Sequence, residues 1–303
     1  MDILSDILKL SGIEKSVLAS HSLYRPWAIR FPCEQSIGFH VVTQGEMYIR
    51  STEMKAPILM KRGDIFLAAR GFNHEIATDL KTKVQKTIEM GERYLPEPGK
   101  KPLVTFASGA YRFRDKPLHS FLKEMPDLIL IRAEDIPPHD PLHAALGLLS
   151  AELALEQMGS EAITRNLLDI VFNYILRNWM NSAQQSSKCW STALRDVHLL
   201  KALKAIHDEP QTDWSVEGLA SVSGLSRAAF AKKFKDITGD TPAHYLAKVR
   251  VQMATQFFRT GTHSVEEVAS AVGYQDAFVF SKVFKRVQGL SPRDYKKQIL
   301  AGA

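Results

Sequence analysis

The sequence predicts an α+β multidomain chain, in which a small antiparallel β-barrel and a helical hairpin precede an all-α C-terminal domain. Three observations lead to this fold class. Residues 23–131 consist of short runs in which apolar and polar residues alternate, with glycines between the runs. From residue 141 the apolar residues recur at helical spacing instead. From residue 193 to the end, one helical pattern occurs twice.

The barrel is predicted from three stretches of residues 37–113. The first, IGFHVVTQGEMYIR, alternates on both sides of a Gln-Gly turn. The second, PILMKRGDIFLAARGFNHEI, repeats the alternation with Gly63 and Gly71 as turns, and the apolar run KPLVTFASGAYRF follows. Several short strands at regular spacing are typical of a small antiparallel barrel.

A helical hairpin is predicted over residues 141–182, with helices at 142–158 and 161–180. Their apolar positions are Leu142, Leu146, Leu149 and Leu153, and then Ile163, Leu167, Val171 and Ile175. These stripes are larger than one barrel face needs, so we expect the hairpin to form the contact of a homodimer. The alternative is that the helices close the open end of the barrel. Residues 183–192 are polar and small, which predicts a linker.

Composition limits the class of protein and its compartment. The chain has 303 residues, 45% of them hydrophobic and 24% charged, which suits a globular protein of two domains. No run of about eighteen uncharged apolar residues occurs, so we expect no membrane span and no membrane partner. Cys33 and Cys189 are the two cysteines, a number that fits the reducing cytoplasm and not a disulfide scaffold.

Positive charge is concentrated in the C-terminal third of the chain. Residues 193–303 hold 16 Lys and Arg against 11 Asp and Glu, whereas the remaining residues hold 23 against 22. A basic end on a nearly neutral body favours a polyanionic partner for that end.

The repeated pattern lies at residues 215–246 and 264–295. Equivalent residues are 49 positions apart before the turn and 50 after it: Ala220 and Ala269, Gly224 and Gly273, Phe234 and Phe284, Gly239 and Gly289, Pro242 and Pro292. Each copy predicts a short apolar helix that begins after a serine, a glycine turn, and a longer basic helix. A glycine stop and a Ser/Thr-Pro start of the next helix follow. This is the helix-turn-helix plan.

The longer helix of each copy separates an apolar face from a small and cationic one. The inward residues are Phe230, Phe234 and Ile237 in the first copy, and Phe280, Val283, Phe284 and Val287 in the second. A major groove admits a helix whose outer face is small or hydrogen-bonding and whose flanks are cationic. The candidate DNA-binding residues are therefore the outward ones: Arg227, Ala228, Ala231, Lys232 and Lys235, and then Ala277, Phe278, Ser281, Lys282 and Lys285.

For one copy alone, the alternative is a packed helical hairpin with solvated lysines, and the second copy argues against it. Residues 193–303, above all AVGYQDAFVFSKVFKRVQGLSPRDYK, resemble the DNA-binding domain of the AraC/XylS family of bacterial transcription regulators. The resemblance implies that two helix-turn-helix units, joined by the long helix AHYLAKVRVQMATQFFRT, enter successive major grooves on one face of double-stranded DNA. By position, it assigns base contacts to Ala228, Ala231 and Lys232, and to Ala277, Phe278, Ser281 and Lys282.

The N-terminal part resembles the cupin-type sensor of one AraC subgroup. RGDIFLAARGFNH (62–74) is similar to the second cupin motif and FHVVTQGEMYI (39–49) to a reduced first motif. The resemblance implies a cupin-like sensor domain over residues 1–140. Cupin enzymes hold a metal with histidines and a glutamate; His40, Glu46 and His74 remain here, but Val42 replaces one histidine. We expect His40, Glu46 and His74 to bind an effector and no metal. The alternatives are a metal site, and a purely structural role in which His40 and His74 are hydrogen-bonded residues of the barrel.

Together these features predict a cytoplasmic, sequence-specific transcription regulator whose cupin-like domain is controlled by a small molecule or a partner. We expect a homodimer that binds double-stranded DNA, with RNA polymerase as a further partner and without a cofactor. Ser-His-Asp and Cys-His arrangements lack supporting motifs, so we expect no catalytic residue and no enzyme. The alternatives are a metal-dependent cupin enzyme fused to a DNA-binding domain, and a ligand-free regulator controlled by its abundance.

Overall fold

The structure, a computed structural model, describes residues 3–10, 13–24, 26–33, 36–88, 92, 101–113, 119–155, 157–181, 190–260 and 263–301. Cys189 and residues 183–189 of the predicted linker lie outside the described residues. The chain divides into two compact units. The barrel unit comprises Glu14–Phe113 and Met125–Ala183, and the helical unit comprises Met1–Ile13, Arg114–Glu124 and Gln184–Ala303.

As predicted, a strand-rich part of the chain is followed by a helical part. The strands are β1 (Ile13–Leu23), β2 (Ala28–Phe31), β3 (Ser36–Gln44), β4 (Glu46–Arg50), β5 (Ile58–Lys61), β6 (Ile65–Ala68), β7 (His74–Ala77), β8 (Lys86–Thr87), β9 (Val104–Phe113) and β10 (Leu128–Ile131). The helices are α1 (Ile3–Leu10), α2 (Ser120–Lys123), α3 (Pro141–Leu155), α4 (Ser160–Asn181), α5 (Trp190–Ala193), α6 (Val197–Asp208), α7 (Val216–Ser223), α8 (Arg227–Thr238), α9 (Pro242–Thr260), α10 (Val265–Ala271), α11 (Ala277–Gln288) and α12 (Pro292–Ala301).

The barrel unit is built from two sheets of five strands, in the orders β1-β9-β3-β6-β10 and β5-β4-β7-β2-β8. Its core lies between them because alternate side chains of each strand point to the same face. Val42 and Phe66 come from the first sheet, Met47, Ile49 and Ile76 from the second, and each is at most 1% exposed. The barrel predicted from the alternating stretches is confirmed; the pairs β3–β6, β3–β9 and β4–β7 are antiparallel, and β2 pairs with β8 in parallel.

The Gly-Asp turn of the cupin-like motif is held by a buried carboxylate. Gly63 has a φ of 87°, in the left-handed region that glycine tolerates best. The carboxylate of Asp64 accepts hydrogen bonds from the guanidinium of Arg132 at 2.7 Å and from the backbone N–H of Ala133 at 2.8 Å. The turn before β6 is thereby tied to the segment that follows β10.

The predicted hairpin forms as α3 and α4, and α4 packs on the sheet that contains β3 and β9. The ring of Phe172 lies 6.4 Å from that of Phe39 and 4.3 Å from that of Tyr111. The hydroxyl of Tyr111 donates to the carboxylate of Asp169 at 2.7 Å. One face of α4 is therefore used inside the barrel unit.

This packing corrects the apolar stripe expected on the outside of α4. Leu167, Val171 and Ile175 are 8%, 0% and 0% exposed, because they lie on the face of α4 that packs within the barrel unit. The apolar residues of the hairpin that do face solvent include Ile163 at 46% and Ile170 at 44%. These two are seven residues apart and so lie on one face of the helix.

In the helical unit, α7 and α8 form one helix-turn-helix and α10 and α11 the other, as the repeat predicted. Ser215 accepts a hydrogen bond from the N–H of Gly218 and caps α7. Ser264 and Glu267 form the predicted capping box of α10. Gly273 occupies the second turn with a φ of 87°, and a Cβ there would lie 2.4 Å from the carbonyl oxygen of Gln211.

Two short segments from the N-terminal part belong to the helical unit: α1 and the stretch that contains α2. The buried hydroxyl of Tyr245 lies 2.7 Å from Nε2 of His207 and 3.2 Å from Nε2 of His119. The backbone N–H of Trp190 donates to the carboxylate of Glu124 at 2.6 Å. The compact units therefore differ in extent from the predicted domains 1–140, 141–182 and 193–303, whose functional boundaries stay predictions.

Among the described helices, none combines the length and the apolar character that a bilayer span requires.

Candidate functional site

The longer helices of the two repeats, α8 and α11, present equivalent faces to solvent. At an offset of 50, Ala228 corresponds to Phe278, Ala231 to Ser281, Lys232 to Lys282 and Lys235 to Lys285. Each set of four follows the spacing i, i+3, i+4 and i+7, which places its members on one side of a helix. The alanine and serine at 231 and 281 are half-buried, and the other members are exposed.

The opposite faces of both helices are fixed by aromatic packing. Phe230 and Phe234 in α8, and Phe280 and Phe284 in α11, are 0% exposed. The two phenylalanine rings of each helix lie 5.6 Å apart. Phenylalanines four residues apart in a helix stack on one side, so the remaining side chains are directed away from the core. The phenylalanines predicted to face inward are therefore buried, whereas Ala277, predicted on the outer face of α11, is half-buried and packs against the core of the second helix-turn-helix.

Capping residues determine where these helices begin and end. Ser226 caps α8 by accepting from the N–H of Ala229, and Asp276 caps α11 by accepting from the N–H of Phe278. Gly239 and Gly289 terminate them in the left-handed region. Each candidate face therefore begins close to the capping residue of its helix. This is where the chain leaves the loop between the two helices of the motif.

On α8 the exposed face is small at its start and cationic toward its end. Ala228 adds only a methyl group, so the helix axis can approach a partner closely. Lys232 and Lys235 are exposed on the same side. Arg227 pairs with Glu217 at 2.7 Å, but both side chains are more than half exposed, and an exposed ion pair contributes at most about 1 kcal/mol. Arg227 can therefore exchange this partner for another anion.

On α11 the exposed face combines an aromatic ring, a hydroxyl and two lysines. Phe278 is 66% exposed, and Nζ of Lys282 lies 4.2 Å from the centroid of its ring. The hydroxyl of Ser281 donates to the carbonyl of Ala277 at 2.8 Å, which leaves its oxygen as a hydrogen-bond acceptor. Lys285 is exposed in the last turn of the helix.

Sequence reasoning missed one further exposed apolar residue on this helix. Val279 is 47% exposed, and the equivalent residue of the first repeat, Ala229, is also exposed. The sequence could have shown that both residues are exposed. They are equivalent at the offset of 50, and neither belongs to the apolar stripe of its helix.

A second candidate site is the pair of histidines from the two cupin-like motifs, which the barrel brings into contact. Nε2 of His40, on β3, lies 2.6 Å from Nε2 of His74, at the start of β7. Both rings are buried, with 2% and 1% exposure. Phe31 and Phe66 flank them, with ring centroids 4.7–6.4 Å away. The site is thus polar at its centre and aromatic around it.

The hydrogen bonds around the pair define one tautomer for each ring. Nδ1 of His74 must donate to the carbonyl of Phe72, at 3.0 Å, so Nε2 of the neutral ring accepts. His40 therefore donates through Nε2 to His74. Its Nδ1 is then the acceptor for the hydroxyl of Ser108, at 2.7 Å. The polar atoms form a single directed chain from Ser108 to Phe72.

Burial keeps the ionisable groups of this site neutral. Desolvation lowers the pKa of His74 to about 4 and that of His40 well below its usual value, the latter with the help of neighbouring His74. Desolvation also lowers the pKa of His21 to about 4 and raises that of the Cys33 thiol to about 12. An uncharged cluster in an aromatic core suits an organic compound better than a free ion.

Glu46 does not join the two histidines, which corrects the expected grouping. It is exposed at the start of β4, whereas the next residue, Met47, is 0% exposed. Successive residues of a strand point to opposite faces, so the one that follows the Gln-Gly turn is directed away from the core. Within the described residues, His40 and His74 are not part of any group of three or more metal-binding side chains.

Comparisons with known proteins agree with both parts of the chain. A family model described as "Cupin" matches residues 2–181, and one described as "Helix-turn-helix domain" matches residues 219–298. A putative AraC-like transcription regulator of Streptomyces lividans is 28% identical over 300 residues, 98% of each chain. The HTH-type transcriptional regulator AlkR of Acinetobacter baylyi is 28% identical over 310 residues, 98% of this chain and 100% of the relative.

Among solved structures, the DNA-binding domain of AdpA in complex with a target DNA is 29% identical, with a TM-score of 0.33. The match covers 35% of this chain and 96% of the AdpA chain. The cupin match alone spans more than half of the chain, and the helix-turn-helix match includes the exposed faces of α8 and α11. The chain therefore belongs to the AraC/XylS family of DNA-binding transcription regulators, with an N-terminal cupin domain and a C-terminal helix-turn-helix domain.

Proposed function

We propose that this regulator reads two short DNA segments about one helical turn, roughly 10 bp, apart, with α8 in one major groove and α11 in the next. The observation that carries the proposal is the equivalence of the two exposed faces at the offset of 50. A single basic helix face is common on protein surfaces. Two faces with the same spacing, each backed by buried phenylalanines, are what a reader of two successive grooves requires.

Individual roles follow from the chemistry of the exposed side chains. Ala228 permits close approach and contact with a thymine methyl group, and Phe278 offers a larger apolar surface for the same group. The hydroxyl oxygen of Ser281 accepts from the amino group of adenine or cytosine. Lys232 and Lys282 reach a guanine edge in their respective grooves, while Arg227, Lys235 and Lys285 neutralise backbone phosphates.

The specificity of binding tests the assignment of Lys282. Full-length Lys282→Ala should lose about 1–3 kcal/mol of discrimination between a bound genomic site and the same site with one base pair changed in the α11 segment. The matched control is Lys201→Ala, an exposed lysine of α6, which should leave discrimination unchanged. Competition titrations at a fixed salt concentration measure both. Equal discrimination in the wild type and Lys282→Ala would refute the assignment.

For the cupin domain, we infer a small-molecule effector with an apolar body and one hydrogen-bonding group. His21 supports this class of compound: it is 0% exposed, and both of its ring nitrogens lack a hydrogen-bond partner within the described residues. Its ring stacks on Phe106 at 4.8 Å and lies edge-on to Phe31. An unpaired buried polar group costs about 1–3 kcal/mol, which a bound hydroxyl or carbonyl group would offset.

A thermal-shift screen of small apolar alcohols, acids and ketones tests the effector proposal. A compound that binds this site should raise the Tm of the wild type and have a much smaller effect on His21→Phe. The control His143→Gln replaces an exposed histidine of α3 and should respond like the wild type. An equal shift in His21→Phe would show that the compound binds elsewhere.

Four further properties complete the proposal. We propose a homodimer with α4 in the contact, because Ile163 and Ile170 expose apolar surface on one face of that helix. Such a regulator acts in the cytoplasm, where the DNA is, and contacts RNA polymerase while bound beside a promoter. It is a regulator without a catalytic role, a proposal supported by the transcription regulators that match it along almost the whole chain.

A further inference from the structure

An open groove of about 540 Å³ lies between the two candidate DNA-reading helices. The last turn of α8, the start of α9 and the last turn of α11 border it. Its lining residues are Lys235, Gly239, Asp240, Thr241, Ala243, His244 and Arg286. Apart from Asp240, they are all exposed. The groove is a feature of the helical unit alone, and sequence reasoning assigned only Lys235 among its residues.

Positive charges outnumber negative charges in the lining of the groove. Lys235 and Arg286 are exposed, and neither forms an ion pair with a described residue. Asp240 is 7% exposed, and both of its carboxylate oxygens lie 2.8 Å from Nζ of Lys248. Lys248 thereby neutralises the one acidic group of the lining. Two cations remain without a counter-charge.

A hydrogen-bonded network sets the position of His244 at the edge of the groove. Nδ1 of His244 donates to Asp240 at 2.8 Å, since an ionised carboxylate only accepts. Burial alone would raise the pKa of Asp240, but its bonds to Lys248 and His244 outweigh burial and lower the pKa. The bond leaves Nε2 of His244 free to contact a ligand. The positive end of the dipole of α9 lies at the same place.

The groove is not a repeated element of the scaffold. At the offset of 50, His244 corresponds to Asp294, and Arg286 to Asp236 of the first repeat. The second repeat thus replaces the histidine by an acid, and the first repeat has an acid where the groove has its arginine. The cationic lining arises once, where the two repeats meet.

We propose that this groove binds phosphate groups of the DNA backbone that lies between the two major-groove segments. The inference rests on the proposed function, because DNA that is read by α8 and α11 on one face must pass the surface between them. Phosphate oxygens match two unpaired cations, and the lining shows no pattern of acceptors and donors that would read a base. Lys235 and Arg286 bind the phosphate, and Asp240 is a positioning residue for His244.

The salt dependence of DNA binding tests the groove. For a protein that contacts DNA phosphates, log K falls linearly with log salt, and each phosphate contact contributes about 0.9 to the slope. Full-length Arg286→Ala should reduce the slope by about 1 and weaken binding to a genomic site and to a scrambled duplex by the same factor. Lys235→Ala should do likewise, and the double variant should reduce the slope by about 2. The control Lys201→Ala should keep the wild-type slope.

The outcomes separate this inference from the proposed function. If Arg286→Ala and Lys235→Ala keep the wild-type salt slope and still prefer the genomic site, the groove does not bind phosphate. The proposed function would then remain intact. A wild type that binds both duplexes equally at every salt concentration would overturn the function itself. A free anion as ligand would appear as thermal stabilisation of the wild type by inorganic phosphate at constant ionic strength. Accompanied by unchanged slopes in the variants, that result would also overturn the inference.

Discussion

The guanidinium of Arg250 stacks over the ring of Tyr274, with its central carbon 5.1 Å from the ring centroid. The same group donates to the carbonyls of Pro210 and Thr212, at 2.7 Å and 2.9 Å. Those two residues precede α7 of the first helix-turn-helix, and Tyr274 lies in the turn of the second. Arg250, on α9, therefore ties both units to the helix that joins them.

Replacing Arg250 by methionine should destabilise the helical unit by about 2–4 kcal/mol, because the buried carbonyl of Pro210 and the half-buried carbonyl of Thr212 lose a charged donor and the ring of Tyr274 loses its cation. Urea unfolding followed by tryptophan fluorescence measures the change. Arg293→Met, an exposed arginine of α12, is the control and should remain within about 0.5 kcal/mol of the wild type. If Arg250→Met lowers the free energy of unfolding by no more than Arg293→Met does, the proposed role of Arg250 is refuted.

Gly273→Ala should destabilise the chain much more than Gly289→Ala. Both glycines have positive φ values, 87° and 82°, where an alanine costs about 1–2 kcal/mol. A Cβ at Gly273 would also lie 2.4 Å from the backbone oxygen of Gln211, whereas nothing lies within 4 Å of one at Gly289. Thermal unfolding of the two variants side by side isolates the clash. Equal losses of Tm would mean that the turn does not contact the loop before α7.

Stability should fall as the pH is lowered from about 6.5 toward 4. Desolvation is the main cause that lowers the pKa of five buried histidines: about 4 for His21, His74 and His207, about 3 for His119, and well below the usual value for His40. In the unfolded chain these groups titrate near 6.5. In that pH range the unfolded state binds more protons, so acidification favours unfolding.

Each of these histidines should contribute about 1 kcal/mol of lost stability between pH 7 and pH 5.5. Urea unfolding at several pH values measures the dependence. His21→Phe should make it shallower by about that amount. Stability that is independent of pH over this interval would contradict the burial of neutral histidines.

The dimer proposal predicts that negative charge on the exposed face of α4 separates the subunits. Ile163→Glu with Ile170→Glu should convert a dimer into a folded monomer, because the substituted side chains already face solvent in the single chain. Arg165→Glu, on another side of α4, should remain dimeric. Sedimentation velocity with and without operator DNA decides. A wild-type chain that is monomeric in both conditions would end the proposal.

The repeat could be predicted from the sequence because its signals are local. The capping serines, the glycine stops and the helical spacing of Phe230, Phe234, Phe280 and Phe284 act over a few residues, and tertiary packing agrees with them. All four phenylalanines are fully buried, as expected. In the barrel, alternation indicated the buried face of β4, whereas β6 and most of β3 are buried on both faces.

Contacts between distant residues could not be predicted in this way. His119 and Tyr245 are 126 positions apart, and no periodicity relates them. The grouping of Glu46 with His40 and His74 was wrong because the alternation of β4 directs that side chain outward. Arg286 had no neighbour in the sequence to suggest a groove, although the regular spacing of Asp240, His244 and Lys248, four residues apart, was visible.

Hydroxyl-radical footprinting of the full-length protein on a tightly bound genomic fragment tests whether α8 and α11 read two successive major grooves. We expect two protected patches on one face of the DNA, about one helical turn, roughly 10 bp, apart. Lys232→Ala should weaken protection at one patch and Lys282→Ala at the other, because α8 and α11 read separate grooves. A single protected patch, or two patches that both substitutions weaken equally, would contradict two-groove reading by these helices.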